Sequence, residues 1–527
     1  MDFEELFEDD DYNIISNPIG QTFYEDSRDG HTINVQSYLE ILPSCDTDRY
    51  INTLYDDDDG MKCTPLMIAC KLGYYEIVQL FLVLCEPKLE IEGTIILNNY
   101  RTEGVTALWI ASGAGHFLIV QLLVEYGANV NHLTSSTHST PLRAACYIGH
   151  MEIIRYLIER GGADQHMLNI SNNSNLSLAV SRGHTELVEY LLKLQCNPNI
   201  QTEPDQKTAL HEACEDGHLN YVQLLLEYNA QSLKDVDGQT PLMIASLNQH
   251  PDIVHYFIEH NYCTDQESID ALELLGSSYY CQQSANAQEG FQYLLKAVKL
   301  REEYQLTRVP CDHFSIDNYN KCQTEDELHH IRHTMELMQL ESLTIYRKQL
   351  GEKSKTFLYA LRYCGGICAD EENYKSCLKL WFYGLQLNKL TNFVVSRDTD
   401  LLRLFATVLV ELDRNQLNEI LYQNDMLKDV LLLAIAELQY NRKLIATSNG
   451  DQRVVEQEKF DYNLYTMLCL ITILSKFEDD LDRKQFYPLI YKLNYLNFKM
   501  KDNTTLLHLA VNRQSAINGY SLGQSYK

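Results

Sequence analysis

The sequence predicts an all-α protein: a helical-repeat solenoid, then a second helical region, then a fragment of the first pattern. Three observations predict it. A segment opening Thr-Pro-Leu, or a close variant, recurs at a near-constant period. The middle of the chain reads as paired amphipathic helices. Near the end, "NTTLLHLAVNRQ" from Asn503 restarts the opening pattern.

The repeats come first, because a fixed period decides the fold. Copies begin at Thr64 ("TPLMIACKLGYYEIVQLFL"), Thr106 ("TALWIASGAGHFLIVQLLV"), Thr140 ("TPLRAACYIGHMEIIRYLI"), Ser174, Thr208 ("TALHEACEDGHLNYVQLLL") and Thr240. The first interval contains an insertion; the next three are 34 residues and the last is 32. Ankyrin repeats run at about 33 residues from a T-P-L-H-x-A start. An earlier, worn copy is expected around Gly30 to Leu42. In each copy Thr-Pro opens a short helix, since proline fixes φ and lacks an N–H that the first turn leaves unbonded anyway. Gly-His ends it. A second helix follows with apolar residues at helical spacing, such as Ile153, Ile154, Leu157 and Ile158. One repeat cannot bury its own apolar face, so the stack shares a core. His116, His150, His184 and His218 recur once per repeat, which places them a repeat height apart and reads as structure, not as a metal site.

The second region starts near Ser268. "IDALELLGSSYY" carries Leu275, Gly276 and Tyr279, and "ANAQEGFQYLLKAVKLREEY" carries Ala287 and Phe291. Both pieces belong to the tetratricopeptide pattern. "RYCGGICADEENYKSCLKLWFYGLQL" from Arg362 is another helix pair, and most of the chain to about Asn497 reads as helical. "RVPCDHFSIDNYNKCQTED" and "TSNGDQR" read as polar linkers. The expected domains are an acidic N-terminal segment (1–27), ankyrin repeats (28–264), a tetratricopeptide-like domain (265–500) and a truncated ankyrin repeat with a polar tail (501–527).

Composition excludes several classes of function. Lys and Arg number 43 against 73 Asp and Glu, a net charge of −30. That argues against a nucleic-acid or anionic-membrane partner and suits basic peptide partners. The start, "MDFEELFEDDDY", has no apolar core and is no signal peptide. No apolar run is long enough to span a bilayer. The 15 cysteines are scattered and odd in number, which suggests reduced thiols and a cytoplasmic or nuclear protein. No Gly-rich phosphate loop follows a strand, and little strand pattern exists. Cys364 and Cys368 in "CGGIC" read as helix packing, as do Trp381 and Phe382. His211 and Cys214 in "TALHEAC" hold consensus helix positions, so a thiol nucleophile there is the weaker reading. Catalytic residues, metal ligands and cofactors: none are expected.

The sequence resembles the fem-one homologue (feminization protein) family, the substrate receptors of cullin–RING ubiquitin ligases. The resemblance rests on "EGVTALWIASGAGHFLIVQLLVEYGANVNH", "STPLRAACYIGHMEIIRYLIE", "IDALELLGSSYY", "ESLTIYRKQLG", "YCGGICADEENYKSCLKLWFYGLQL", "DYNLYTMLCLITILSK" and "TLLHLAVN", in family order from about residue 60 to 512. It implies a non-catalytic receptor that grips C-terminal degrons in the concave groove of its ankyrin stack. It further implies docking on elongin B/C and a cullin through a box near the family's C-terminus. Trp109, Ser139, Arg143 and Tyr147 match groove residues, Tyr147 replacing a usual Phe, and Tyr100 matches a further aromatic. Arg143 suits a terminal carboxylate through a bidentate pair; Trp109 and Tyr147 can wall a peptide. Both Arg143 and Trp109 are expected at the concave surface.

Three departures qualify the resemblance. The family has Asp after the groove aromatic, where this chain has Ile148. It has another Asp upstream of the Trp, where this chain has Asn98. Preference for a C-terminal arginine is therefore not expected, unless Glu103 compensates. The family's remaining C-terminal repeats and elongin-binding box are missing, so the chain reads as a fragment, a short form, or a receptor without ligase recruitment. A loose Leu-x-x-x-Cys-x-x-x-Ile match runs from Leu192 to Ile200, but Leu192 belongs to a repeat helix and should be core. The alternatives are an interaction scaffold that kept the groove and lost the ligase arm, and an unrelated ankyrin adaptor.

Overall fold

In a computed structural model, residues 18–57, 60–97, 100–282, 286–304, 322, 324–390, 399–412, 426–448 and 450–474 are described. The expected truncated repeat (501–527) lies outside them. The chain divides into two compact units, Met1–Tyr256 and Phe257–Lys527.

The first unit is a stack of antiparallel helix pairs. Pro18–Asp29 pairs with Thr32–Ile41, so the worn first copy is a full pair that starts earlier than its sequence suggests. Phe23 and Tyr24 of the acidic segment are buried in it. Pairs follow from Pro65–Leu72 and Tyr75–Leu84 onward. The repeat starts are helix N-caps. The side chains of Thr64, Thr106, Thr140, Ser174 and Thr240 each accept a hydrogen bond from the backbone N–H three residues on, which satisfies one orphan donor of the helix.

The Gly-His ends explain the recurring histidines. Gly149 has φ 91°, a left-handed conformation that a side chain disfavours. A Cβ there would also lie 2.8 Å from the His184 ring. His116 Nε2 lies 3.2 Å from the Lys71 carbonyl and His184 Nε2 3.3 Å from that of Tyr147. His116 and His184 thus close over the end of the preceding repeat's first helix, whereas Tyr221 is the neighbour of Gly183.

Sequence reading did not foresee helix Ser44–Ile51 or a small sheet, whose last two strands fall in the insertion and whose first two precede Thr64. Four short strands, β1 (Tyr55–Asp56), β2 (Lys62–Cys63), β3 (Gly93–Leu97) and β4 (Tyr100–Val105), form an antiparallel sheet in chain order. Ile95 faces Thr102 in the register, with a bulge at Gly93/Thr94. β4 continues into a row of finger-like turns. Ser136 N–H donates to the Glu103 carbonyl (3.3 Å), Ile170 to Thr137 (3.1 Å), Glu203 to Ser171 (2.8 Å) and Val236 to Asp205 (3.0 Å). One backbone bond therefore ties each finger to the next. At the start of the row the fingers touch closely: a Cβ on Gly104 would sit 2.2 Å from the Ser135 nitrogen.

The second unit is also helical. Asp265–Cys281 packs against Ala287–Glu303, with Gly276 and Gly290 at the crossing, where a Cβ on Gly276 would lie 2.8 Å from the Gly290 carbonyl oxygen. Phe291 is buried there. Arg301 pairs with Glu273 in the interior, and Gln349 donates to the other carboxylate oxygen at 3.3 Å. Trp381 is buried over Gly365 and donates to the Arg362 carbonyl at 2.9 Å. Cys364 and Cys368 are buried free thiols. The expected linker "TSNGDQR" is shorter than its composition suggests, since helices Met426–Thr447 and Gly450–Leu474 take up most of it.

Among the described residues, no helix is long and apolar enough to cross a membrane, and no group of His, Cys, Asp and Glu could hold a metal ion.

Candidate functional site

The site grows out of one position in the repeat. The third helical residue donates its backbone N–H to the Thr or Ser cap, as Trp109 does to Thr106 (3.4 Å) and Arg143 to Thr140 (3.1 Å). Its side chain then reaches the residue just before the next repeat's cap. Trp109 Nε1–H donates to Ser139 Oγ at 3.2 Å, and Arg143 Nη1–H donates to the Asn173 carbonyl at 2.8 Å. His211 makes the same reach, with Nε2 3.3 Å from the Gln239 carbonyl. Trp109, Ser139 and Arg143 are therefore inter-repeat ties, and sit deeper than the sequence reading expected. Trp109 is 6% exposed, and Ser139 and Arg143 are 9% exposed. The physical reason is that the third helical position points along the stack, into the neighbouring repeat.

Arg143 differs from an ordinary tie. A guanidinium carries five N–H donors, and the Asn173 carbonyl engages one nitrogen. Burial pulls Arg143 down from its usual value to about 10, with no carboxylate among the groups acting on it. Among the described residues no acid forms an ion pair with it. It remains a cation at neutral pH, little solvated and with no anion at hand. Buried charges are normally paired.

Tyr147 lies one helical turn after Arg143, on the same face. The Arg182 guanidinium, from the start of the next connection, stacks 3.7 Å above its ring. Ile148, the next residue, is 44% exposed. Tyr100 begins β4, opposite Leu97. Glu103 is exposed, and its carboxylate is held by Arg101 at 2.9 Å; its backbone N–H and carbonyl both bond the Ser136 hydroxyl at 3.1 Å. Asn98 lies outside the described residues. The structure thus joins Trp109 to Ser139 and sets Arg143 with Tyr147, while Glu103 belongs to the finger row.

Sequence reading missed Arg182. Repeat register could have found it: Ile148, Arg182 and Asp216 each stand eight residues after their Thr or Ser cap. Two other candidates resolve into packing. Cys214 is fully buried and burial pushes its thiol up, while His211 Nδ1 is occupied by the N–H and hydroxyl of Thr208. Leu192 and Cys196 are buried, so the loose box motif presents neither to a partner.

The family described as Ankyrin repeats (3 copies) matches residues 35–134, 66–169, 131–202 and 176–269. The chain is 28% identical over 510 residues to "Protein fem-1 homolog A" of Rattus norvegicus, covering 87% of this chain and 76% of that protein. It is 28% identical over 509 residues to "Protein fem-1 homolog A" of Bos taurus, covering 88% and 76%. Over 309 residues it is 30% identical to "Protein fem-1 homolog C" of Homo sapiens, covering 56% of this chain and 49% of that protein.

Proposed function

The chain belongs to the fem-1 homologue family of repeat-built interaction proteins, and from that premise we propose that it is a substrate receptor binding C-terminal degrons on its ankyrin repeats. In this reading it performs no chemistry and presents its cargo to a cullin–RING ligase through elongin B/C. One observation carries the binding half: Arg143 is a buried cation with spare donors and no carboxylate partner among the described residues. A peptide's terminal carboxylate is the complementary ligand, and a desolvated bidentate pair gives it strength. Trp109 and Ser139 fix one wall, and Tyr147 with Ile148 offers an aromatic and apolar rim.

The test is a titration of free-acid against C-terminally amidated peptides. Arg143→Ala should weaken free-acid binding by about 2 kcal/mol or more, as hot-spot residues do. Trp109→Phe is the better partner variant, since it removes the indole N–H without emptying the buried pocket; Trp109→Ala there would cost about 3–5 kcal/mol of fold stability. Equal binding of acids and amides would refute the reading. Because Ile148 and Asn98 stand where the family has acids, peptides ending in arginine should bind poorly, and Ile148→Asp with Asn98→Asp should restore them by about 2–3 kcal/mol. Elongin B/C co-purifying with the chain supports the ligase half. Its absence, with degron binding intact, favours the second reading: a scaffold that binds the same peptides without recruiting a ligase.

A further inference from the structure

The family's acid position is replaced in two ways here, not one. Ile148 removes the charge, and Arg182 brings the opposite charge to the same aromatic residue. Its guanidinium lies 3.7 Å over the Tyr147 ring, and no carboxylate among the described residues pairs with it. The corresponding residue of the next repeat is Asp216, but no ion pair joins the two among the described residues; Glu215 beside it is taken by Lys207. A guanidinium this close over a ring meets it best with its face. The N–H groups around its edge lie in the plane and remain free for a carboxylate. The ring also limits the rotamers of a long side chain, which lowers the entropy lost when it binds.

We infer that the site selects peptides carrying an acidic side chain within the last three residues, which Arg182 receives while Arg143 holds the terminal carboxylate. The inference rests on the degron reading above and names the substrate class for it. Tyr147 stands about 6 Å along its helix from Arg143, and an extended peptide advances about 3.3 Å per residue. The penultimate or third-from-last side chain therefore falls near Arg182. Net charge points the other way, since a chain of −30 attracts basic peptides in general. Screening decides between them: at physiological salt the Debye length is about 8 Å. The arginines at the site then outweigh carboxylates elsewhere on the chain.

The experiment uses the full chain at physiological salt and fluorescent decapeptides of one Gly-Ser body. Asp, Asn or Lys is placed at the penultimate or third-from-last position, each peptide as free acid and as amide. The Asp free acid should bind at least tenfold tighter than its Asn counterpart, and the Lys peptide weakest. Arg182→Gln should erase the Asp-over-Asn difference while leaving dependence on the free terminus. Arg182→Lys should keep part of it. Equal Asp and Asn affinities, with the free-acid requirement intact, would overturn this inference alone. Asp peptides binding equally as acid and amide would overturn the degron reading as well, leaving a site for internal acidic segments.

Discussion

Arg143 and His211 occupy one position in two repeats of the same stack. Each is buried, and each spans to the residue before the next cap. His211 is saturated: Nδ1 accepts the Thr208 N–H at 3.0 Å, which fixes the proton on Nε2, and Nε2–H faces the Gln239 carbonyl. Arg143 makes the same tie and has donors left over. The repeat opening at Thr208 thus uses this position up within the stack, whereas the repeat opening at Thr140 leaves guanidinium donors that the proposed degron site would use. A position that is structural in the consensus is open to a binding role when its side chain has more donors than the stack can use.

The largest effect should come from breaking the saturated side. His211→Leu leaves the Thr208 N–H without its partner, at about 1–3 kcal/mol, and removes one of two bonds to the Gln239 carbonyl, which keeps the Asp235 N–H at 2.9 Å, at about 1 kcal/mol more. Urea denaturation of the chain should show a loss of about 3 kcal/mol; a loss below about 1 kcal/mol would mean that water or the backbone replaces the ring. The sharper test converts one repeat into the other. Arg143→His should weaken free-acid peptides by about 2 kcal/mol while leaving stability unchanged or raised by about 1 kcal/mol, since it removes a poorly compensated buried charge. Should it destabilise the stack by more than that while peptides still bind, Arg143 is a tie and not a receptor for carboxylate.

The smallest effect is on pH dependence. Burial lowers His211 below the usual 6.5. Below that value the unfolded chain binds a proton that the folded ring refuses, so stability falls as pH drops from about 6.5 toward the lowered folded value. His211→Gln has no such proton to gain. The stability gap between the two proteins should narrow as pH falls from 7 to 5. A constant gap across that range would show that the ring titrates freely in the folded state.

The repeats were legible because each start is a capping event: Thr64, Thr106, Thr140, Ser174 and Thr240 declare helix N-termini through local chemistry. The sheet was not, because β1 and β2 are two residues each, too short for alternation to register. Arg143 could be singled out as the residue that replaces a consensus His. Its want of an acid could not, since pairing depends on what the fold brings near. Nor could burial: the sequence reading placed Arg143 and Trp109 at the concave surface, while the structure buries both between repeats. Repeat register could have singled out Arg182, but its place over the Tyr147 ring needed the structure.

The finger row has a consequence for motion. Its turns face outward, and Ile170 and Val236 are exposed, yet their backbone N–H groups are held by the preceding finger. Such amides exchange with heavy water only when neighbouring fingers part, so protection should appear as a sparse, regular mark at Ser136, Ile170, Glu203 and Val236. A row joined this way behaves as a chain of coupled springs: displacing one finger loads the next, and slack at one end is felt along the whole comb.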